Sequence, residues 1–217
     1  MQTIAILVAM DMEAAPLVRK IEGARPETAA GRKFLRGRIG RAEVVLHICG
    51  MGMRRADSGA RALVEHSSPQ ALVLYGVSGG LTPEMALSET VIGMSSYPAF
   101  GRAGDAEATD GALADTAARV LPGARRAPLA TTWGVTARKK SKTRIAQASG
   151  AVCVDMESYA VAKAARELGL PLLVIRCLSD TFEPTSLLAF AKHGAAAAEK
   201  AAAETESVIK ALAEGGL

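Results

Sequence analysis

Three acidic side chains stand where strand-like segments of this sequence end, in places where a carboxyl can move protons or hold hydroxyl groups. Asp180 follows directly on the apolar run Leu172–Leu178, within Ser179-Asp180-Thr181. A carboxyl at a strand end can be partly withdrawn from water, which raises its pKa and lets it carry a proton for delivery. The same triplet also fits a plain turn or a helix N-cap. Glu157 lies in Cys153-Val154-Asp155-Met156-Glu157-Ser158, where a buried strand gives way to a helix. If the chain is still extended there, its period of two sets Asp155 and Glu157 on one face. Two carboxylates so placed accept hydrogen bonds from a vicinal diol such as a sugar; alternatively, both stabilise the positive end of the helix. Glu13 comes three residues after the first apolar run, with a first-turn helix position as its plain alternative. Gly50-Met51-Gly52 and Ser78-Gly79-Gly80 allow close approach of backbone to a ligand.

Other chemistries lack their residues. The sequence has no GxxxxGK[ST] phosphate loop and no GxGxxG after a strand. His47, His66 and His193 are isolated, without HExxH or paired ligands, so neither a metal site nor a cofactor is expected. Cys49, Cys153 and Cys177 form no CxxC pair and sit in or beside apolar runs, as core thiols of a reducing compartment do. The net charge of +4 is scattered except for Arg138-Lys139-Lys140-Ser141-Lys142-Thr143-Arg144. Four Phe, three Tyr and one Trp offer few stacking platforms beside that run. It therefore reads as a solvated helix or loop face, and no nucleic-acid partner is expected. No apolar stretch approaches 18 residues, and the opening MQTIAILVAMDMEAA has no basic leader, which predicts a cytoplasmic protein without membrane contact.

The elements that must position the acids follow from periodicity. With 217 residues, 49% of them apolar but only 4% aromatic, the core must be built from Ala, Val, Leu and Ile. Thr3–Met10 reads as a buried strand followed by a helix over about 12–22. Lys33–Ile39 and Glu43–Cys49 form a hairpin about Gly40-Arg41. Met53–His66 is a helix, and Ala71–Val77 is a buried strand broken by Ser78-Gly79-Gly80. Thr90–Met94 and Arg126–Thr131 are further strands, Ala112–Val120 and Lys140–Ala148 helices, and the stretch from Tyr97 to Gly111 a loop. Ala151–Val154, a helix over 158–168 and Leu172–Leu178 make a βαβ unit, and an Ala-rich helix over about 186–212 closes the chain. This alternation predicts a single α/β domain over 1–217, a three-layer α/β/α sandwich about a central mixed sheet. In such sheets the ligand lies beyond the carboxyl ends of the strands, where the acids and glycine turns converge.

Five motifs in order resemble the purine nucleoside phosphorylase/nucleosidase superfamily, nearest to methylthioadenosine/S-adenosylhomocysteine nucleosidases. IAILVAMDMEA resembles that family's strand followed by A-M-x-x-E, and Cys49–Gly52 its S-G-[IM]-G turn. YGVSGGL at 75–81 resembles T-G-S-A-G-G-L, VDME at 154–157 resembles V-E-M-E, and RCLSD at 176–180 resembles R-[AV]-I-S-D. The resemblance runs from residue 1 to about 182. It implies hydrolysis of the N-glycosidic bond of a 5′-substituted adenosine or related purine nucleoside. Glu13 would activate the attacking water, with Arg176 close by; Asp180 would protonate N7 of the purine; Glu157 would hold the ribose hydroxyls, and Met156 would pack on the sugar. Asp155, Gly52, Ser78, Gly79 and Ser179 complete the expected substrate site.

The sequence also departs from that pattern. Val77 stands where the family has Ser, with Ser78 one position later. The segment after Met94 is short and keeps only Tyr97 and Phe100, among Gly101, Gly104 and Gly111, to cover the 5′ substituent. Trp133, in Trp133-Gly134-Val135-Thr136, either stacks on the base or fills core. The short loop and VDMES also resemble hopanoid-associated phosphorylases, in which phosphate replaces water. Leu74 and Tyr75 stand where the phosphorolytic branch has an Arg, which favours hydrolysis, although Arg54, Arg55 and Arg138 could supply charge for phosphate. A nucleoside-binding protein without catalysis is the third reading, resting on Val77. The resemblance further implies a homodimer.

Overall fold

The computed structural model describes residues 2–99, 105–183 and 186–215. In chain order the elements are β1 (Thr3–Val8), α1 (Asp11–Val18), β2 (Glu22–Ala29), β3 (Arg32–Ile39), β4 (Ala42–Ile48), α2 (Met53–Ser67), β5 (Ala71–Gly80) and β6 (Thr90–Pro98). There follow β7 (Glu107–Ala108), α3 (Gly111–Val120), β8 (Arg125–Thr131), α4 (Lys139–Ser149), β9 (Cys153–Asp155), α5 (Ser158–Glu167), β10 (Leu172–Asp180) and α6 (Ser186–Gly215).

The aliphatic runs are buried on both faces because alternate residues feed different cores. Ile4, Ile6 and Val8 of β1 join Val73 and Tyr75 of β5 and Leu173 and Ile175 of β10 against α1, α3 and α6. Ala5 and Leu7, with Leu72 and Leu74 and with Leu172 and Val174, face α2 and α5 instead. Helices therefore cover both faces of one mixed sheet, the predicted α/β layering. No helix among the described residues is long and apolar enough to cross a membrane.

The strand order is β10-β6-β8-β9-β5-β1-β4-β3-β2, with β7 on β6. β10 also pairs with β5, so β5, β10, β6, β8 and β9 close into a ring from which β1, β4, β3 and β2 extend. β1, β4, β5 and β10 run parallel, whereas β9 runs antiparallel to β5. The predicted βαβ unit is corrected here: β9 and β10 flank α5 but run in opposite directions. Pairing of Gly79 with Val154 and of Gly80 with Cys153 reverses β9 and carries the residues after it back along β5.

Two other elements differ from the sequence reading. β2 was not expected, because EGARPETA is polar and contains Pro26; as an edge strand it pairs only with β3 and needs no apolar face. β5 does not break at Ser78 but continues through Gly80, its two glycines pairing with β9. Part of the stretch taken as loop is also strand, since β7 pairs with Ser95 and Ser96 of β6.

Candidate active site

The carboxyl ends of β1, β5 and β10 and the turn after β9 enclose a cavity of about 310 Å³, lined among others by Glu13, Ser78, Gly79, Met156, Glu157 and Asp180. Its geometry grows from two glycines of β5.

Gly76 is the first. A Cβ on it would lie 2.5 Å from Glu13 Oε1 and 2.7 Å from Arg176 Nη1, so the two side chains close over a backbone that only glycine leaves bare. Its φ of +156° is also open chiefly to glycine. Glu13 sits in the first turn of α1, where its Oε2 accepts the Met10 N–H at 3.0 Å as a capping residue would. Its Oε1 accepts the Val77 N–H at 2.8 Å. The helix-capping position and the site position are therefore the same position. Burial pushes the Glu13 carboxyl above its ordinary range, against the pull of the Arg176 guanidinium and the backbone N–H groups. Val77, in place of Ser, leaves this contact intact because it is made by the backbone.

Arg176 is fully buried and holds the acidic turn together. Its Nη2 lies 2.7 Å from Asp155 Oδ2 and 3.6 Å from Glu157 Oε2. Asp155 is otherwise engaged by the chain: Thr131 Oγ1 donates to it at 2.7 Å, the N–H groups of Glu157 and Ser158 at 3.2 Å, and Ser158 Oγ as well. Asp155 lines the cavity, while its oxygens anchor Arg176 and the start of α5. Glu157 lines the cavity too. Its Oε1 accepts the Gly52 N–H at 2.8 Å. Burial first, then the nearby charges of Asp155 and Glu13, push the Glu157 carboxyl up to about 7 against the pull of Arg176. Gly52, expected beside the ligand, does not line the cavity; φ of +99° aims its N–H at Glu157 instead.

Gly79 is the second glycine. A Cβ there would meet Asp180 Oδ2 at 2.8 Å and Oδ1 at 3.0 Å. Leu178 pairs with Ser78 but Asp180 with Gly79, so β10 carries one extra residue, Ser179, at this point. Such a bulge turns the following side chain away from the regular strand alternation, and here it sets Asp180 against the cavity. Ser179 is buried and donates its hydroxyl to the Ser78 carbonyl at 3.2 Å. Behind Asp180 stands Lys142, wholly inaccessible to solvent, with Nζ 2.8 Å from Asp180 Oδ1 and 2.5 Å from the Thr181 carbonyl.

Lys142 overturns the reading of residues 138–144 as a solvated face. Arg138, Lys139, Lys140 and Arg144 are exposed, but Lys142 and Ile145, one helical turn apart, both point inward. That pairing with Ile145 was the available signal. Phe190 of α6 also lines the cavity and was missed; a large ring within an Ala-rich helix was its signal. Trp133 neither stacks in the cavity nor fills core: it is 63% exposed. Thr132 Oγ1 donates to the Gly134 carbonyl at 2.7 Å, closing a turn with Trp133 on its outer side, while Thr132, Gly134, Val135 and Thr136 line the cavity. Tyr97 does not line it, and Phe100, Gly101 and Gly104 lie outside the described residues. No group of three or more His, Cys, Asp or Glu among the described residues is arranged to hold a metal ion.

Residues 3–210 match the family described as the phosphorylase superfamily. The fold is similar to that of a methylthioadenosine/S-adenosylhomocysteine nucleosidase from S. pneumoniae solved with a transition-state inhibitor, at 24% identity and a TM-score of 0.92 over 97% of this chain and 99% of that one. It is similar to the corresponding nucleosidase from Neisseria meningitidis in complex with methylthio-immucillin-A, at 19% identity and 0.91 over 97% and 99%. It is also similar to futalosine hydrolase of Helicobacter pylori, at 18% identity and 0.89 over 96% and 97%.

Proposed function

The chain belongs to the phosphorylase superfamily, and from that premise we propose that it hydrolyses the N-glycosidic bond of a purine nucleoside, an adenosine bearing a 5′ substituent being the favoured class. The observation that carries this reading is the pair of carboxyls held over Gly76 and Gly79 in one cavity. Three residues of extended strand separate those glycines by roughly 10 Å. That leaves room for a water, the anomeric carbon and the imidazole ring of a purine in line between Glu13 and Asp180.

The residues divide the work accordingly. Glu13, its basicity raised by burial, takes a proton from the attacking water. Glu157 accepts hydrogen bonds from the ribose hydroxyls while Met156 packs on the sugar. Positive charge grows on the ring oxygen and C1′ as the bond breaks, and the neighbouring carboxylates stabilise it. Asp180 delivers a proton to N7, so the purine departs neutral. Ser78, Gly79 and Ser179 form the wall between the two ends.

Water is favoured over phosphate by charge. Glu13 and Glu157 face the nucleophile position with Arg176 as their partner, and Arg176 already pairs with Asp155 at 2.7 Å. A phosphate dianion there meets two carboxylates and a guanidinium already matched. Arg54, Arg55 and Arg138 are exposed and do not line the cavity.

Met10, Met51 and Phe190 give the cavity an apolar margin, and Met51 is 52% exposed. We read this margin as the 5′ end, open enough for a bulky apolar substituent. The test is product analysis with methylthioadenosine, S-adenosylhomocysteine and a long-chain 5′-alkyl adenosine, each with and without phosphate. Free base and free sugar are expected in both conditions, with kcat/KM values for the three differing by less than about a hundredfold, or about 2.7 kcal/mol. Sugar 1-phosphate identifies a phosphorylase, and binding without cleavage identifies a carrier. Met51 and Val135 line the cavity and are exposed, as is Trp133 two residues from Val135, and we propose that they are covered in a homodimer. A monomer mass by light scattering at micromolar concentration excludes it.

A further inference from the structure

Among the described residues two cations with long side chains are buried, Arg176 and Lys142. Arg176 belongs to the acidic turn, but the reaction as proposed leaves Lys142 without a task. A lysine is rarely enclosed unless it is paired, because burying an ammonium is unfavourable without an opposite charge and hydrogen-bond acceptors. Lys142 has acceptors in Asp180 Oδ1 at 2.8 Å and the Thr181 carbonyl at 2.5 Å, and an opposite charge whenever Asp180 is ionised. It does not line the cavity, so it meets the substrate only through Asp180.

Resting on the nucleosidase reading, we infer that Lys142 is a positioning residue for the acid: it holds the Asp180 carboxyl at the cavity and stabilises the carboxylate that forms when the proton leaves for N7. The ammonium donates to Oδ1 at 2.8 Å, which fixes the carboxyl against the wall of the cavity. In the reaction the proton passes from Asp180 to N7, the electron pair of the C1′–N9 bond goes to the purine, the water oxygen bonds to C1′, and a water proton goes to Glu13. Negative charge therefore appears on Asp180 beside an ammonium already in place, an interaction stronger in the transition state than before it. Proton return from Glu13 to Asp180 through solvent resets the site.

Other charged groups near the site come from several elements. Glu13 of α1 and Arg176 of β10 meet over Gly76, and Arg176 pairs in turn with Asp155 at the end of β9 and Glu157 just before α5. On the outer side Lys139 of α4 pairs with Glu183 at 2.8 Å, both exposed. Lys142 is in direct contact with Asp180, with Nζ 2.8 Å from Oδ1.

The experiment is the pH profile of kcat for purine nucleoside cleavage by wild type and Lys142→Met. An ammonium favours the charged form of a neighbouring carboxyl, so without it Asp180 keeps its proton to higher pH. The alkaline limb of Lys142→Met is expected to move up by at least about one pH unit, with kcat at neutral pH lower by about ten- to a hundredfold. A lower rate with an unmoved limb overturns the inference. Should Lys142→Met not fold, Asp180→Asn is compared with Asp180→Asn/Lys142→Met, whose neutral pair leaves no buried charge unmatched. If Lys142 acts through Asp180, the two rates agree within about threefold; a further tenfold or greater loss in the double variant overturns the idea. Failure of the wild type to cleave any purine nucleoside overturns the nucleosidase reading and this inference together, whereas cleavage with an unmoved limb removes the inference alone.

Discussion

Asp180→Asn is expected to lower kcat by about two to four orders of magnitude while leaving the affinity for a purine nucleoside within about tenfold. The amide is nearly the same size as the carboxyl and can still accept the Lys142 hydrogen bond at the Oδ1 position. It has no acidic proton, so the purine must leave as an anion from a cavity whose other acids stand at the far end of the sugar. Gly79 leaves the space in which either side chain rests. Single-turnover rates with excess enzyme, beside a binding isotherm for the same nucleoside, separate chemistry from affinity. Wild-type turnover by the variant removes Asp180 from the mechanism.

Arg176→Met is expected to destabilise the protein by about 3–5 kcal/mol, because it strands the buried acids around it. Asp155 loses an ion pair at 2.7 Å and Glu157 one at 3.6 Å, and Glu13 loses the guanidinium beside it over Gly76. Glu157→Gln should act in the opposite direction. Glu157 is pushed up to about 7, above the ordinary carboxylate value, mainly by burial. A carboxyl with a raised folded-state pKa contributes stability below its unfolded value, and that contribution is lost as pH rises through the folded one. Glutamine does not ionise, so Glu157→Gln should raise Tm over wild type at pH 8, by less at pH 5, while losing turnover. Thermal unfolding of the three proteins at both pH values checks the set. A Tm for Glu157→Gln below wild type at pH 8 shows that the charge at this position stabilises the fold.

These expectations join what was legible in the sequence to what was not. Aliphatic runs such as ILV at 6–8 and LLVI at 172–175, alternating with amphipathic stretches, were enough to require a sheet with helices on both faces. Strand-end positions of Glu13 and Asp180 were also legible, because they depend only on where an apolar run stops. β2 was not, since an exposed edge strand needs backbone partners rather than a hydrophobic pattern. Trp133 was read either as stacking on the base or as core; a local turn faces it outward instead.

The sequence by itself determined which residues could ionise and at which strand ends they would lie. The tertiary structure alone decided which of them share an environment. Reversal of β9 brings Glu157 back to Gly52 and Arg176, and the extra residue at Ser179 re-aims Asp180 over Gly79. Packing of α4 encloses one lysine from a basic run and leaves its neighbours in water. The physical reason is range. Periodicity and turn chemistry act over a few residues, whereas the pairs that set the charges of this site join positions 38, 64 and 105 residues apart in sequence.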